Sequence, residues 1–183
     1  MNQKLNTYNN DWYSPGKSKL TLLTWYCFNA IFLNSYLIPF SAFKIFILKL
    51  FGAQIGKGVV IKPKVNIKYP WKLIIGNYSW IGEEVWIDNL DMVSIGKNCC
   101  LSQGSFLLCG NHNYKKSTFD LMVGPIKLKD GSWIGAKATV CPGITLEENS
   151  ILTVGSIATK NLEPNGIYSG NPAIKIKNRI INE

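Results

Sequence analysis

From Ile55 onward the sequence keeps a period of six, and that period limits the fold more than any other feature. The hexads run IGKGVV, IKPKVN, IKYPWK, then IGNYSW, IGEEVW, IDNLDM, then IGKNCC, LSQGSF, LLCGNH. After a gap they resume as LKDGSW, IGAKAT, VCPGIT, LEENSI, LTVGSI and ATKNLE. Fourteen of these fifteen begin with Ile, Leu or Val, and only Ala158 departs. The second place is often glycine (Gly56, Gly76, Gly82, Gly96, Gly135), and the fifth is often small or β-branched. A helix of 3.6 residues per turn cannot hold every sixth residue on one face, and simple strand alternation does not demand glycine after each aliphatic. A short strand followed by a tight turn satisfies both, with the aliphatic inward and glycine at the bend or close approach. Three such units close a triangular coil that buries its core only by stacking on the next. Ile55-Gly56, Ile75-Gly76 and Ile95-Gly96 recur every 20 residues, which is three hexads plus two corner residues. The expected fold class is therefore all-β, a parallel β-solenoid, with about three coils in 55–108 and two more in 128–163.

The division expected along the chain is an N-terminal arm and apolar helical segment over 1–54, the solenoid over 55–163 interrupted by a loop at 109–127, and a basic tail over 164–183. The opening MNQKLNTYNNDWYSPGKSK is polar and turn-rich, unlike a signal sequence. From Leu20 to Phe43 there are 24 residues without Asp, Glu, Lys or Arg. That length suffices for a bilayer, but Asn29, Asn34, Ser35, Pro39 and Ser41 interrupt it. Two short helices, about 20–36 and 40–51, are expected instead. They serve either as a cap on the solenoid or a neighbouring subunit, or as an interfacial membrane anchor with Lys44 and Lys49 near lipid phosphates.

Cysteine and histidine usage narrows the chemistry. The five cysteines form no C-x-x-C pair and are odd in number, so neither a zinc set nor a disulfide framework is expected. One histidine cannot build a multi-histidine metal site within a chain. The expected compartment is cytoplasmic, peripheral on the inner membrane face if the apolar segment meets lipid. With 20 basic against 11 acidic residues the formal charge is +9, which suits an anionic partner without naming one. No nucleic-acid-binding motif accompanies the charge. The lone histidine, His112, falls on the one long interruption of the lattice, CGNHNYKKSTFDLMVGPIK. Solenoids carry such insertions at corners, often on the binding face, so His112 is the first candidate functional residue.

The hexads resemble the hexapeptide-repeat acyltransferases, whose coil is a left-handed parallel β-helix. Within them YPWKL, the LSQ ahead of the histidine loop and the closing SGNPA are similar to the O-acetyltransferases of colanic-acid and exopolysaccharide synthesis. The resemblance implies a homotrimer with active sites between neighbouring solenoids, acetyl-CoA as donor, no metal, and a sugar or oligosaccharide acceptor. It implies His112 as general base, for direct attack of a sugar hydroxyl on the thioester; histidine suits this because its pKa lies near working pH. Where the family has Ser-His-Asp, this chain has Asn111-His112-Asn113, leaving Glu83, Glu84, Asp88 and Asp91 as candidates to orient the ring. For the donor the resemblance points to Trp133, Ala136, Val154, Gly155, Thr159 and Lys160, with Lys175, Lys177 and Arg179 for its phosphates. For the acceptor it points to Asp88, Asn89, Asp91 and Asn111. Trp133 and Val154 read equally well as plain rungs of the coil, and Asp88, Asn89 and Asp91 as turn formers. Other acceptors (serine, an antibiotic, an amino sugar) and a non-catalytic scaffold are the alternatives. A solenoid carbonic anhydrase needs three zinc histidines and does not fit.

Overall fold

The computed structural model describes residues 2–182. Coil 1 is β1 (Gln54–Ile55), β2 (Val60–Ile61) and β3 (Asn66–Ile67); coil 2 is β4 (Leu73–Ile75), β5 (Trp80–Ile81) and β6 (Trp86–Asp88). Coil 3 is β7 (Val93–Ile95), β8 (Cys100–Leu101) and β9 (Phe106–Leu108), after which a hairpin, β10 (Gly110–His112) with β11 (Leu121–Val123), leaves the lattice. Coil 4 is β12 (Ile126–Leu128), β13 (Trp133–Ile134) and β14 (Thr139–Val140), and coil 5 is β15 (Thr145–Leu146), β16 (Ile151–Leu152) and β17 (Ile157–Ala158). Parallel stacking produces three faces. Face 1 is β1-β4-β7-β12-β15, face 3 is β3-β6-β9-β14-β17, and face 2 runs β2-β5-β8-β13-β16-β18, where β18 is Gly166–Gly170.

All fifteen hexad leaders, from Ile55 (7% exposed) to Ala158 (1%), lie in the core. The glycine at the second hexad place is there for close approach and not for the bend. A Cβ on Gly76 would stand 2.5 Å from the carbonyl carbon of Gly96, and one on Gly135 would stand 2.5 Å from the amide nitrogen of Val154. The bend falls at the fourth place, where Gly58, Lys64, Tyr78, Glu84, Asn98 and their counterparts have positive φ. The fifth place is buried except at Trp71, Asp91 and Asn111, which stand at the corner between faces 3 and 1. From the buried fifth places Ser79 and Ser132 donate to the carbonyls of Gly96 and Lys129 at 2.7 Å, whereas Ser105 Oγ has no partner among the described residues.

Helix α1 (Lys19–Phe28) starts at Ser18, whose hydroxyl accepts from Thr21 N. It widens into a π-helical turn over Asn29–Leu33, shorter than the helix expected to reach 36. The amide of Asn29 turns inward there, accepting from Ile67 N and donating to Asn66. Helix α2 (Ser41–Leu50) lies against coil 1, whose edge has no coil beneath it. Ser41 Oγ accepts from Ile61 N, and buried Lys44 donates through Nζ to Lys62 O at 2.7 Å. An unpaired sheet edge is thereby covered.

The expected basic tail is not a tail. β18 extends face 2 in parallel with β16, and β19 (Ala173–Asn178) folds back on it antiparallel. The Ile-Lys-Ile-Lys alternation is strand periodicity, which supplies the pairing. No helix among the described residues is long and apolar enough to cross a membrane.

Candidate active site

The 109–127 interruption is mostly an antiparallel ribbon in which Asn111 pairs with Met122 and His112 with Leu121. Its tip is held by Lys116, which pairs with Asp120 at 2.8 Å, and by the Thr118 hydroxyl, which donates to the same carboxylate. Both contacts keep the Asp120 carboxyl below its usual range. Within the chain the ring of His112 is oriented by backbone, and none of the four expected carboxylates bonds to it. Its Nδ1 lies 2.9 Å from the carbonyl oxygen of Phe119. A carbonyl only accepts, so the neutral ring carries its proton on Nδ1 and leaves the Nε2 lone pair available. Phe119 stands at φ 52° and lays its ring on the imidazole, 4.3 Å between centroids and 4° from parallel. Glu84 is occupied with Lys64 at 3.0 Å, and the Tyr36 hydroxyl donates to it.

His112 lines a cleft of about 620 Å³ at the corner where face 3 turns into face 1. Asp88 and Asn111, two of the expected acceptor residues, line it too. Asp88 is buried and paired with Lys68 at 2.9 Å; the Asn111 side chain accepts from His112 N. Asn89 and Asp91 do not line the cleft. Asn89 is wholly buried, accepting from Tyr69 N and donating to the carbonyls of Tyr69 and Lys72, so it clamps the corner of the coil before. Asp91 lies outside the cleft lining, and its carboxylate accepts from Met92 N beside it.

The opposite wall went unread in the sequence. Tyr8, Asn10, Tyr13 and Pro15 of the N-terminal arm line the same cleft. The arm is fastened at both ends: Lys4 N donates to Ser117 O at 2.8 Å, Tyr13 to Leu90 O at 2.7 Å, and the Trp71 indole to Pro15 O at 2.7 Å. Tyr8 leaves its ring 5.7 Å from that of His112. Burial raises the Tyr13 phenol and lowers the Lys72 ammonium, which donates to the same Leu90 carbonyl. An aperiodic polar arm carries no signal beyond its tyrosines.

The expected donor residues separate into two groups. Trp133, Ala136 and Val154 line one groove of about 420 Å³ on face 2 and its corner with face 3, together with Ser102 and Gln103. The Trp133 indole donates to Ser102 Oγ at 2.9 Å, which fixes the ring along the groove wall. Gly155 follows Val154 at that corner with φ 65° and open space where a Cβ would stand. Beyond Trp133 a second hollow carries Lys177, with Arg179 and Ile180. The remaining residues lie elsewhere. Thr159 and Lys160 are exposed after β17, on the corner from face 3 to face 1, because one more strand separates them from Gly155. Lys175 pairs with Glu163 at 2.8 Å, and the Arg179 guanidinium donates to Gly131 O and Asn149 O, so both cations are already engaged within the chain.

No family model matches the chain. It is 38% identical over 138 residues to the "Putative colanic acid biosynthesis acetyltransferase WcaF" of Escherichia coli K12, covering 75% of this chain and 76% of that protein. It is 27% identical over 134 residues to the galactoside O-acetyltransferase of the same organism, covering 72% and 66%. A hexapeptide-repeat acetyltransferase from Vibrio cholerae, solved with acetyl coenzyme A, superposes with a TM-score of 0.81 at 16% identity over 97% of this chain and 96% of that one. A galactoside acetyltransferase solved with coenzyme A gives 0.76 at 24% identity over 87% and 80%. The chain belongs to the hexapeptide-repeat acetyltransferases, and its solenoid is their left-handed β-helix.

Proposed function

We propose that this protein transfers acetyl from acetyl-CoA to a hydroxyl of a sugar or oligosaccharide in exopolysaccharide synthesis, with His112 as general base. The observation that carries the reading is the Nδ1 bond to the Phe119 carbonyl, which leaves Nε2 as the acceptor in a cleft lined by tyrosines, Asn111 and Asp88. Nε2 takes the hydroxyl proton as the sugar oxygen attacks the thioester carbonyl. Collapse of the tetrahedral adduct breaks the C–S bond, and the imidazolium returns the proton to the departing thiolate. The products are an acetyl ester and the free thiol. The groove beside Trp133 fits the donor: its apolar walls suit a pantetheine arm, and Lys177, without an ion pair among the described residues, suits a phosphate. Bound there, acetyl-CoA supplies the activated acyl group.

The same geometry supports a homotrimer. The base stands on the corner between faces 3 and 1, the donor groove on face 2 and the corner between faces 2 and 3, with face 3 between them. A neighbouring solenoid that presents its groove to the His112 corner completes the site. Peripheral attachment to an anionic membrane has two supports. Leu20, Leu23, Tyr26, Phe40, Phe46 and Leu50 on the helical cap are 61–75% exposed. Residues 12–82 carry nine lysines and no acid, so the formal charge of the whole chain, +9, resides in the cap and first coils. Thiol release from acetyl-CoA against a panel of sugars is the test. Wild type is expected to release thiol only with a sugar present, and His112→Ala to lose more than about a hundredfold. Full activity in the variant overturns the mechanism.

A further inference from the structure

The His112 cleft does not end at Lys68, Tyr69 and Asp88. These three residues also line a second groove, of about 380 Å³, between α1 and face 3. Its other walls are Leu22, Trp25, Tyr26 and Ala30 from the helix side and Trp86 from β6. The polar atoms at its base are matched inside the chain. The Trp25 indole donates to Ile67 O at 2.9 Å, and the Asn29 amide is shared between Asn66 and Ile67. Most of the surface that remains to be filled is apolar, in line with a cleft that is polar around His112. The groove lies beneath a helix whose exposed Leu20, Leu23 and Tyr26 would meet a bilayer, in a region without a carboxylate from residue 12 to 82.

We infer that this groove is a subsite for the hydrocarbon tail of the acceptor, and that the acceptor is a membrane-borne sugar whose head lies at His112 and whose tail passes Tyr69 into the groove under α1. This rests on the acetyltransferase reading above and adds the class of acceptor. A soluble sugar would occupy the polar cleft alone and leave the apolar groove unused. Lys68 sits at the junction but is held by Asp88 at 2.9 Å, so the tail, not a charge at the junction, provides the recognition.

The test needs no turnover, so it can fail separately from the acetyl-transfer reading. The full chain is titrated by calorimetry with methyl and octyl β-D-glucoside, the latter below its micelle-forming concentration. Burial of methylenes tightens binding about fourfold each, so octyl is expected to bind once per chain and at least about thirtyfold tighter than methyl. Ala30→Trp, which fills the groove from an exposed helical position, is expected to abolish that gain, and Ala30→Ser to keep it; circular dichroism confirms that both fold. Equal binding of the two glucosides by wild type overturns the subsite. A gain that survives in Ala30→Trp does so too, since the tail then binds elsewhere. Vesicles of phosphatidylcholine with and without phosphatidylglycerol test the source. Sedimentation with the anionic vesicles alone is expected, and sedimentation with neither overturns the membrane-borne acceptor.

Discussion

At the scale of single residues, Phe119 does for His112 what a carboxylate does in Ser-His-Asp arrangements. Its backbone oxygen fixes the tautomer and its ring fixes the plane, from a left-handed conformation that is costly for a bulky side chain. Phe119→Ala keeps the carbonyl and removes the stack. An aromatic pair contributes about 0.5–1.5 kcal/mol, so kcat is expected to fall about two- to tenfold with the donor KM unchanged. A fall in donor affinity instead would show that the ring serves binding. Cys109 stands three residues before His112, but its side chain is wholly buried and burial pushes the thiol up to about 12. At pH 8 it is expected to resist iodoacetamide in the native protein while exposed Cys27 reacts, as mass spectrometry of the labelled peptides will show. Rapid native labelling at Cys109 would contradict that packing.

At the scale of elements, the coils were legible because burial repeats with the hexad: every leader points inward. The second-place glycines were legible as to position, and the structure supplies the reason, contact with the next coil's backbone. Gly135→Ala is therefore expected to destabilise by about 1–3 kcal/mol in thermal unfolding, since its Cβ would meet the backbone around Val154. The elements that escaped the sequence are those that happen once. The histidine ribbon and the N-terminal arm have no repeat to betray them, and Asn89 reads the same whether it clamps a corner or binds a sugar. Lys44 also looked like a surface anchor, yet α2 buries it against coil 1, and desolvation lowers it from 10.5 to about 8. Between those two pH values the unfolded chain holds a proton that the folded chain has lost, so this group makes stability rise with pH from about 8 to 10.5. Buried thiols act in the opposite sense, because their raised pKa values leave the folded chain the more protonated. The difference between wild type and Lys44→Met isolates the lysine, and is expected to grow by about 2 kcal/mol in favour of wild type across that window in chemical unfolding. A difference that stays flat with pH would mean that the ammonium remains hydrated.

At the scale of the whole molecule, the proposed division of the site between two corners makes a prediction about mixtures that no intrachain site could satisfy. His112→Ala removes the proposed base and leaves the proposed donor groove; Ala136→Trp fills that groove and leaves His112. Homotrimers of either variant are expected to be inactive. If each site takes His112 from one chain and the groove from its neighbour, a mixed trimer contains junctions at which both contributions are intact. Such a junction needs an Ala136→Trp chain on the histidine side and a His112→Ala chain on the groove side. With equal amounts and random assembly that happens at about one junction in four, so co-refolding the two variants restores about a quarter of wild-type activity. Simple mixing of the assembled proteins restores little until subunits exchange. Should the co-refolded mixture stay inactive while light scattering shows mixed trimers, base and groove act within one chain. The face-3 strands would then have to be spanned by the donor itself, and the geometric argument for the trimer would fail.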